Sequence, residues 1–347
     1  MYYTTKESMD ARFDRLGRQY KMDVSSSSSF LSWQQSAREK LRALLCIDKL
    51  EACPHDSVLL ESTRISDSIT KEKWLITTEE SVQMPFYILV PDSASQKTPV
   101  YITAPGHLGG GKESLVGNRD NPLISEKIDF YSYDYALFLA EHGNVAIAFD
   151  PRGYGERREK ENQGEENILS SSCFQLAHMA ESLGLTLPGL LVFDMMRLID
   201  FIEERNEWGE VRVLGFSGGG LQSLYLTALD DRVKLAFISG YFYGFKEALL
   251  DMSANCSCNY IPSLYLYFDI ADIAALIAPR PLVIQSAIHD HLAGKSGIHN
   301  VIKPMSELKN AYSVLNADAK LFHHIVDDGH HFEKKGAMEA IESVCLS

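Results

Sequence analysis

Short apolar segments alternate with segments of helical periodicity along most of this chain. The strand-like segments are 97–106, 144–150, 211–216, 233–239, 281–287 and 319–326, after an antiparallel pair at 73–78 and 85–90, and the helical ones are 131–142, 189–205, 219–230, 301–315 and 334–344. Strands that are apolar on both faces are typical of parallel sheets covered by helices on each side. The alternation therefore predicts an α/β protein with a doubly wound, mostly parallel sheet and helices on both faces.

Two regions depart from this alternation. Residues 1–72 are predicted to form a polar arm and a helix over about 31–50, joined by a serine run at 25–29. We expect the apolar face of that helix to pack against the core or against a partner subunit of a homo-oligomer. The charge-rich stretch that starts at residue 157 is a small insertion after the fourth main strand, and residues 157–188 form either a lid or a surface excursion.

Composition and charge argue against several classes of protein. Of the 347 residues, 45% are hydrophobic and 23% are charged, which is ordinary for a globular protein. A net charge of −14 argues against nucleic acid as a partner, because phosphate binding needs clustered Lys and Arg. No apolar run reaches the roughly 20 residues of a membrane span, and the first residues lack the apolar core of a signal peptide. We therefore expect a cytoplasmic protein with reduced cysteines and no membrane partner.

The most informative stretch surrounds Ser217. Residues 215–219 read G-F-S-G-G, which fits the pattern G-x-S-x-G directly after a strand-like run and directly before an amphipathic helix. In that context the serine lies on a tight strand-to-helix turn that exposes its hydroxyl. The backbone N–H of Gly218, at the helix start, is expected to point at an oxyanion. The pattern predicts Ser217 as a nucleophile, and a glycine-rich turn with a bystander serine is the alternative.

A serine nucleophile needs a histidine base and a carboxylate that orients it. With this type of turn the acid and then the histidine follow the serine, each on a loop after a strand. Asp290 lies just past the segment 281–287 and His330 just past 319–326, so we predict them as acid and base. The neighbouring alternatives are His331 as the base, Asp272, Asp327 or Asp328 as the acid, and His289 or His291 as metal ligands.

The loop after the third main strand is rich in glycine, with the sequence APGHLGGGK at 104–112. Such glycines let a backbone N–H approach a substrate oxygen. We predict the N–H of His107 as the second oxyanion donor, with Leu108 as the alternative. Because Lys112 is followed by Glu113 and not by Ser or Thr, the loop does not match a nucleotide phosphate site.

Cysteine and histidine supply metal-ligand types without the spacing typical of a metal site. Cys256-Ser257-Cys258 and the histidine pairs at 323–324 and 330–331 match neither CxxC nor HExxH. We therefore expect no metal, and two buried cysteines on a loop.

Several stretches together carry a family resemblance. They are PGHLGGGKE from Pro105, AFDPRGYGE from Ala148, LVFDMMRLIDFI from Leu191, GFSGGG from Gly215, CNYIPSLYLYFDIADIAALIAPRPLVIQSA from Cys258 and DDGHHF from Asp327. Over about residues 74–332 the chain resembles the bacterial dienelactone-hydrolase-related and acetyl-xylan-esterase-like branch of the α/β-hydrolase superfamily. The resemblance implies an α/β-hydrolase catalytic domain over 73–347, with Ser217, Asp290 and His330 as its triad.

The chain departs from the patterns of this branch at three places. Pro105-Gly106 stands where His-Gly is common, PRGYGER from Pro151 stands where the multi-substrate acetyl esterases have R-G-Q, and Gly218 stands where their elbow has Gln. These differences concern the assignment to sugar deacetylation and leave the hydrolase mechanism intact.

These residues together predict hydrolysis of a small-molecule carboxylic ester through an acyl-enzyme, with no cofactor. An acetyl ester of a sugar is the leading substrate. The expected pocket wall includes Arg152 and Tyr154, and a structural ion pair is an equal alternative for Arg152. Two other functions stay open: a thioesterase or peptidase on the same triad, and a non-catalytic hydrolase-like binding protein.

Overall fold

A computed structural model describes residues 3–252 and 255–345. The strands are β1 (Val58–Arg64), β2 (Ile69–Glu79), β3 (Val82–Pro91), β4 (Val100–Ala104), β5 (Val145–Phe149), β6 (Val211–Phe216), β7 (Val233–Ser239), β8 (Leu282–Ala287) and β9 (Leu321–Val326). They form one sheet in the order β1-β2-β3-β5-β4-β6-β7-β8-β9. The pairs from β1 to β3 and the pair β3–β5 are antiparallel, and all later pairs are parallel. The predicted doubly wound, mostly parallel sheet is confirmed.

Helices cover both faces of this sheet. They are α1 (Lys6–Leu16), α2 (Ser27–Leu44), α3 (Lys112–Leu115), α4 (Pro122–Tyr131), α5 (Tyr135–Glu141), α6 (Cys173–Ser182), α7 (Leu187–Arg205), α8 (Gly218–Leu229), α9 (Leu264–Tyr267), α10 (Ile270–Ala275), α11 (His299–Ser313) and α12 (Ala337–Cys345). In β4, Ile102 belongs to the core beneath α2, α7 and α8, whereas its neighbour Tyr101 belongs to the core beneath α5 and α12. Successive side chains of a strand point to opposite faces, so a strand buried on both sides is apolar at nearly every position.

The N-terminal region is more ordered than its polar sequence predicts. Residues 6–16 form α1, which the sequence analysis treated as an arm. The serine run does not link two elements, because the side chain of Ser26 accepts a hydrogen bond from the N–H of Ser29 and caps α2. This cap starts the helix before the predicted residue 31, since it satisfies a free N–H of the first turn. Phe30 and Leu41 of α2 are buried in the core of the same chain, and β2 runs across the predicted boundary between residues 72 and 73.

The segment predicted as a helix over 131–142 is helical only from Tyr135, after a helix that was not predicted, α4, and the break between the two shapes the active site. Instead of a helix over 131–142, α4 ends at Tyr131, Ser132 adopts a left-handed φ of 54°, and α5 begins at Tyr135. The apolar periodicity hid the break because Tyr133 and Tyr135 are both fully buried against the sheet. Among the described residues, no helix is both long enough and apolar enough to cross a membrane.

Candidate active site

Ser217 lies on the turn between β6 and α8. It adopts φ 56° and ψ −119°, a strained backbone for a residue with a side chain. Its N–H donates to the carbonyl of Ser239 on β7 at 2.9 Å, which holds the turn against the sheet. A Cβ atom at Gly219 would lie 1.8 Å from the carbonyl oxygen of Ala104, and one at Gly215 would lie 2.1 Å from that of Gly219. Only glycine fits these positions, which explains the residue pattern around the serine.

A continuous series of hydrogen bonds joins Ser217 to His330 and Asp290. The distance from Ser217 Oγ to His330 Nε2 is 2.9 Å, and the distance from His330 Nδ1 to Asp290 Oδ2 is 2.8 Å. The side chains of the histidine and the aspartate are only 8% and 6% exposed, so water competes little for these bonds. The structure thus brings the three predicted residues together in the arrangement of a nucleophile, a base and an orienting acid.

The loop after β9 fixes the imidazole of His330. The ring centroid of Phe216 lies 4.7 Å from that of His330, and the N–H of Phe332 donates to the carbonyl of Tyr131 at 3.0 Å. Gln285, buried on β8, accepts from the N–H of Glu333 at 3.0 Å and donates to its carbonyl at 2.8 Å. These contacts hold the chain on the C-terminal side of the histidine, and sequence reasoning missed Gln285.

The alternative residues lie elsewhere. His331 Nε2 is 2.5 Å from Asp328 Oδ1, and exposed His289 pairs with exposed Asp327 at 3.0 Å. Asp272 is buried on α10 and pairs with Arg18. His291 is the exception, because it lines the cavity beside Ser217, with its ring centroid 5.7 Å from that of His330.

The two residues predicted to supply oxyanion donors, Gly218 and His107, both lie close to Ser217. Gly218 is the first residue of α8, so its N–H has no partner within the helix. The loop of His107 passes close to the nucleophile, because a Cβ atom at Gly106 would lie 3.1 Å from Ser217 Cβ. The hydroxyl of Tyr133 donates to the carbonyl of His107 and holds this loop in place. Leu108, the alternative donor, is 51% exposed with φ 63°.

A buried ion pair anchors the other end of the same loop. The ammonium of Lys112 lies 2.7 Å from Asp150 Oδ2 and 2.5 Å from Glu156 Oε2. The side chains of Lys112 and Asp150 are both fully buried, and the N–H of Lys112 donates to Asp150 Oδ1 at 2.8 Å. Burial raises the pKa of Glu156, but Lys112 outweighs it and lowers the pKa. Lys112 departs from the pattern of a nucleotide phosphate site in the sequence, but nothing in that pattern predicts this anchor.

The cavity in front of Ser217 has a volume of about 410 Å³. Its wall consists of His107, Leu108, Tyr131, Tyr133, Ser217, Gly218, Tyr241, Tyr243, Asn255, Cys256, Asn259, His291, Leu292 and His330. Among the described residues, none of the insertion 157–188 belongs to this wall. The wall comes mainly from the break between α4 and α5 and from the loops after β7 and β8.

The predicted pocket role of Arg152 is wrong. Its guanidinium forms ion pairs with Asp194 at 2.8 Å and Glu79 at 2.5 Å, and only 12% of its side chain is exposed. Arg152 is therefore the structural ion-pair partner that was the alternative. Burial raises the pKa of Asp194, but Arg157 and Arg152 lower it to about 2, so this fully buried carboxylate stays charged.

Tyr154 also lies outside the cavity, behind His107. Its hydroxyl is 2.6 Å from His107 Nε2, and only 3% of the residue is exposed. The pocket prediction failed because the segment that carries Tyr154 turns inward after β5. Tyr154 thus contacts the side chain of the residue whose N–H is the second candidate oxyanion donor.

Three cysteines surround the same imidazole. The donor atoms of His107, Cys173, Cys256 and Cys258 all lie within 4.8 Å of one another. Burial lowers the pKa of His107, but Cys173 and Cys256 raise it to about 10, because they favour a positive charge on the ring. These residue types could hold a soft metal ion. Sequence spacing missed the cluster because only Cys256 and Cys258 are neighbours in the chain, and Cys256 is half-buried rather than buried.

Comparison with known proteins places the chain in a class. The model of the Abhydrolase family matches residues 11–293, so the chain belongs to the Abhydrolase family. This membership identifies it as a hydrolase and confirms the predicted α/β-hydrolase fold.

Individual relatives agree with this class. The chain is 25% identical to the "Putative hydrolase YtaP" of Bacillus subtilis (strain 168) over 232 residues, which cover 64% of this chain and 70% of that one. A solved structure described as a "putative acetyl xylan esterase" from Bacteroides fragilis superposes with a TM-score of 0.76 at 17% identity, over 98% of this chain and 84% of that one. The acetyl xylan esterase of Paenibacillus sp. R4 superposes with a TM-score of 0.57 at 16% identity, over 97% and 98%.

Proposed function

We propose that this chain cleaves a small carboxylic ester through an acyl-enzyme formed on Ser217. The observation that carries the proposal is the unbroken hydrogen-bonded series from Ser217 Oγ through both ring nitrogens of His330 to Asp290. A serine hydroxyl is a weak nucleophile, and a neutral imidazole at 2.9 Å can take its proton as the oxygen attacks.

The reaction has two halves. Ser217 Oγ bonds to the ester carbonyl carbon while His330 Nε2 accepts its proton, and the N–H groups of Gly218 and His107 donate to the oxyanion. The proton then passes from His330 to the alcohol oxygen as the C–O bond breaks, leaving the acyl group on Ser217. Water next attacks the acyl carbon and gives a proton to His330 Nε2. The bond between the acyl carbon and Ser217 Oγ then breaks, His330 returns that proton to Ser217 Oγ, and the acid is released. Asp290 keeps the proton on Nδ1 throughout.

The cavity wall supports a polar substrate with a flat face. Four tyrosines and two asparagines line it, and they are Tyr131, Tyr133, Tyr241, Tyr243, Asn255 and Asn259. Aromatic faces pack on sugar rings, while amide and hydroxyl groups hydrogen-bond to ring hydroxyls. Structures described as acetyl xylan esterases and glucuronoyl esterases share the fold. We therefore propose an acetyl ester of a sugar as the substrate class.

A substrate panel tests the reaction and the substrate class separately. We expect hydrolysis of p-nitrophenyl acetate and of acetylated sugars by the wild type and by the control Ser182→Ala on α6, and none above background by Ser217→Ala. Equal activity of Ser217→Ala would contradict the proposal. A kcat/KM that is higher for dodecanoyl than for acetyl esters, or activity on acyl thioesters alone, would replace the substrate class by a lipase or a thioesterase.

A further inference from the structure

The strongest unexplained feature is the set of three thiols around the imidazole of His107. The residues come from three separate segments: the loop after β4, the first turn of α6, and the loop that precedes α9. Cys173 and Cys258 are each 1% exposed and pack with Leu187 and Leu191 in a small apolar cluster. The proposed hydrolysis uses only the backbone of His107, so it gives none of these four side chains a part in the chemistry.

The spacing of the donor atoms matches one metal geometry. In a tetrahedral zinc site, Zn–S distances of about 2.3 Å and Zn–N distances of about 2.0–2.1 Å put a nitrogen about 3.6 Å from each sulfur. His107 Nε2 lies 3.5 Å from Cys258 Sγ and 3.7 Å from Cys173 Sγ. Cys256 Sγ is also within 4.8 Å of the other three donor atoms. We propose that His107, Cys173, Cys256 and Cys258 bind one Zn²⁺ ion.

The ligand set indicates a structural role for the ion. Three thiolates and one imidazole fill four positions, which is the closed set of structural zinc sites, whereas a catalytic site keeps a position for water. The hydroxyl of Tyr154 lies 2.6 Å from His107 Nε2 and 3.5 Å from Cys173 Sγ. When Nε2 binds the metal, this hydroxyl donates to the thiolate of Cys173 instead.

The proposed zinc site lies beside the proposed oxyanion hole, so the ion would affect the reaction by holding a donor in position. His107 would carry a metal ligand on its side chain and an oxyanion donor on its backbone, and its ring lies 2.7 Å from where a Cβ atom at Gly218 would be. The ion therefore ties the loop of His107 to α6 and to residues 256–258, and makes the three cysteines positioning residues for that N–H. This part of the inference rests on the proposed function, whereas the metal site itself does not.

Metal analysis of the full chain tests the site. We expect about one zinc per chain in the wild type and in Cys53→Ser, a half-buried cysteine outside the cluster. We expect at least about tenfold less zinc in Cys173→Ser and Cys258→Ser. Cobalt(II) added to the metal-free wild type should give the visible and thiolate charge-transfer bands of a tetrahedral thiolate site, a measurement that does not depend on a variant folding.

Three results would overturn the metal site: no zinc in the wild type after reconstitution with Zn²⁺ and reductant, equal zinc in Cys258→Ser, or a disulfide between cluster cysteines in protein kept reduced. Measuring esterase activity beside zinc content distinguishes a failure of the metal site from a failure of the proposed function. Zinc in the wild type and in Ser217→Ala without esterase activity would leave the metal site standing, and Ser217-dependent activity without zinc would leave the hydrolase standing. With both present, Cys258→Ser should lower kcat by up to about 10³-fold with little change in KM.

Discussion

Nδ1 of His330 lies 2.8 Å from Oδ2 of Asp290, and this contact turns Nε2 of the ring toward Ser217. The other carboxylate oxygen of Asp290 accepts from the N–H of Leu292 at 2.8 Å, so the carboxylate is fixed at both oxygens. A proton held at Nδ1 leaves the lone pair of Nε2 free for the serine proton. The contact therefore sets the tautomer on which the proposed mechanism depends.

Replacing this carboxylate by an amide should stop most turnover. We expect Asp290→Asn to lower kcat by about 10⁴-fold, because the amide can hold the wrong tautomer of His330. The matched control is Asp327→Asn, which changes an exposed aspartate paired with His289 and should leave kcat unchanged. Steady-state kinetics on p-nitrophenyl acetate measures both. A loss of less than tenfold in Asp290→Asn would mean that another group orients the imidazole.

Replacing His330 and its neighbour His331 separately tests which histidine is the base. We expect His330→Ala to lower kcat by about 10³-fold or more, because nucleophile and base act as a unit. His331→Ala should cost far less, because that ring pairs with Asp328 at 2.5 Å on another side of the loop. If His331→Ala were the inactive variant and His330→Ala kept near-native kcat, the base would be misplaced by one residue.

The buried ion pair between Lys112 and Asp150 should make a large contribution to the free energy of unfolding. Lys112→Met leaves the carboxylate of Asp150 buried without its cation, and we expect the free energy of unfolding to fall by about 3–5 kcal/mol. The control Lys127→Met removes a pair with mostly exposed Glu126 and should cost less than about 1 kcal/mol. Urea denaturation compares the two variants. Equal losses would show that the buried pair adds nothing beyond a surface pair.

Asp194 should make stability depend on acid pH. Its pKa of about 2 in the folded chain lies below the ordinary value of 3.8, because the effect of Arg157 and Arg152 outweighs burial. The unfolded chain therefore binds this proton more readily, so the stabilisation is complete above about pH 4 and is lost as pH falls toward about 2. We expect the difference in unfolding free energy between wild type and Asp194→Asn to narrow over that window. If the difference in unfolding free energy between the two proteins did not change with pH, the protonation of Asp194 would not be linked to stability.

Sequence reasoning found the residues whose positions follow from the order of strands. Ser217 directly follows a strand-like segment, Asp290 and His330 lie on the loops after two others, and parallel strands bring such loops to one edge of the sheet. The sequence also placed β7 at its observed bounds, Val233–Ser239, because the buried stretch from Leu235 to Ile238 is apolar at every position.

The sequence did not predict features that depend on side-chain direction in the loops or on contacts between distant segments. Arg152 and Tyr154 follow β5 closely, yet both side chains turn into the protein, toward Asp194 and His107. The break at Ser132 is hidden because Tyr133 and Tyr135, just past it, are both buried and continue the apolar pattern. The thiol cluster joins distant segments, which no spacing rule detects.

Covalent labelling of the nucleophile tests the central claim most directly. A fluorophosphonate loses fluoride and phosphonylates an activated serine. Intact-protein mass spectrometry of the wild type should therefore show a single adduct, which peptide mapping places at Ser217. Ser217→Ala should show no adduct, and His330→Ala should react much more slowly, since its serine lacks the base. Equal labelling of wild type and Ser217→Ala would contradict the proposed hydrolase mechanism.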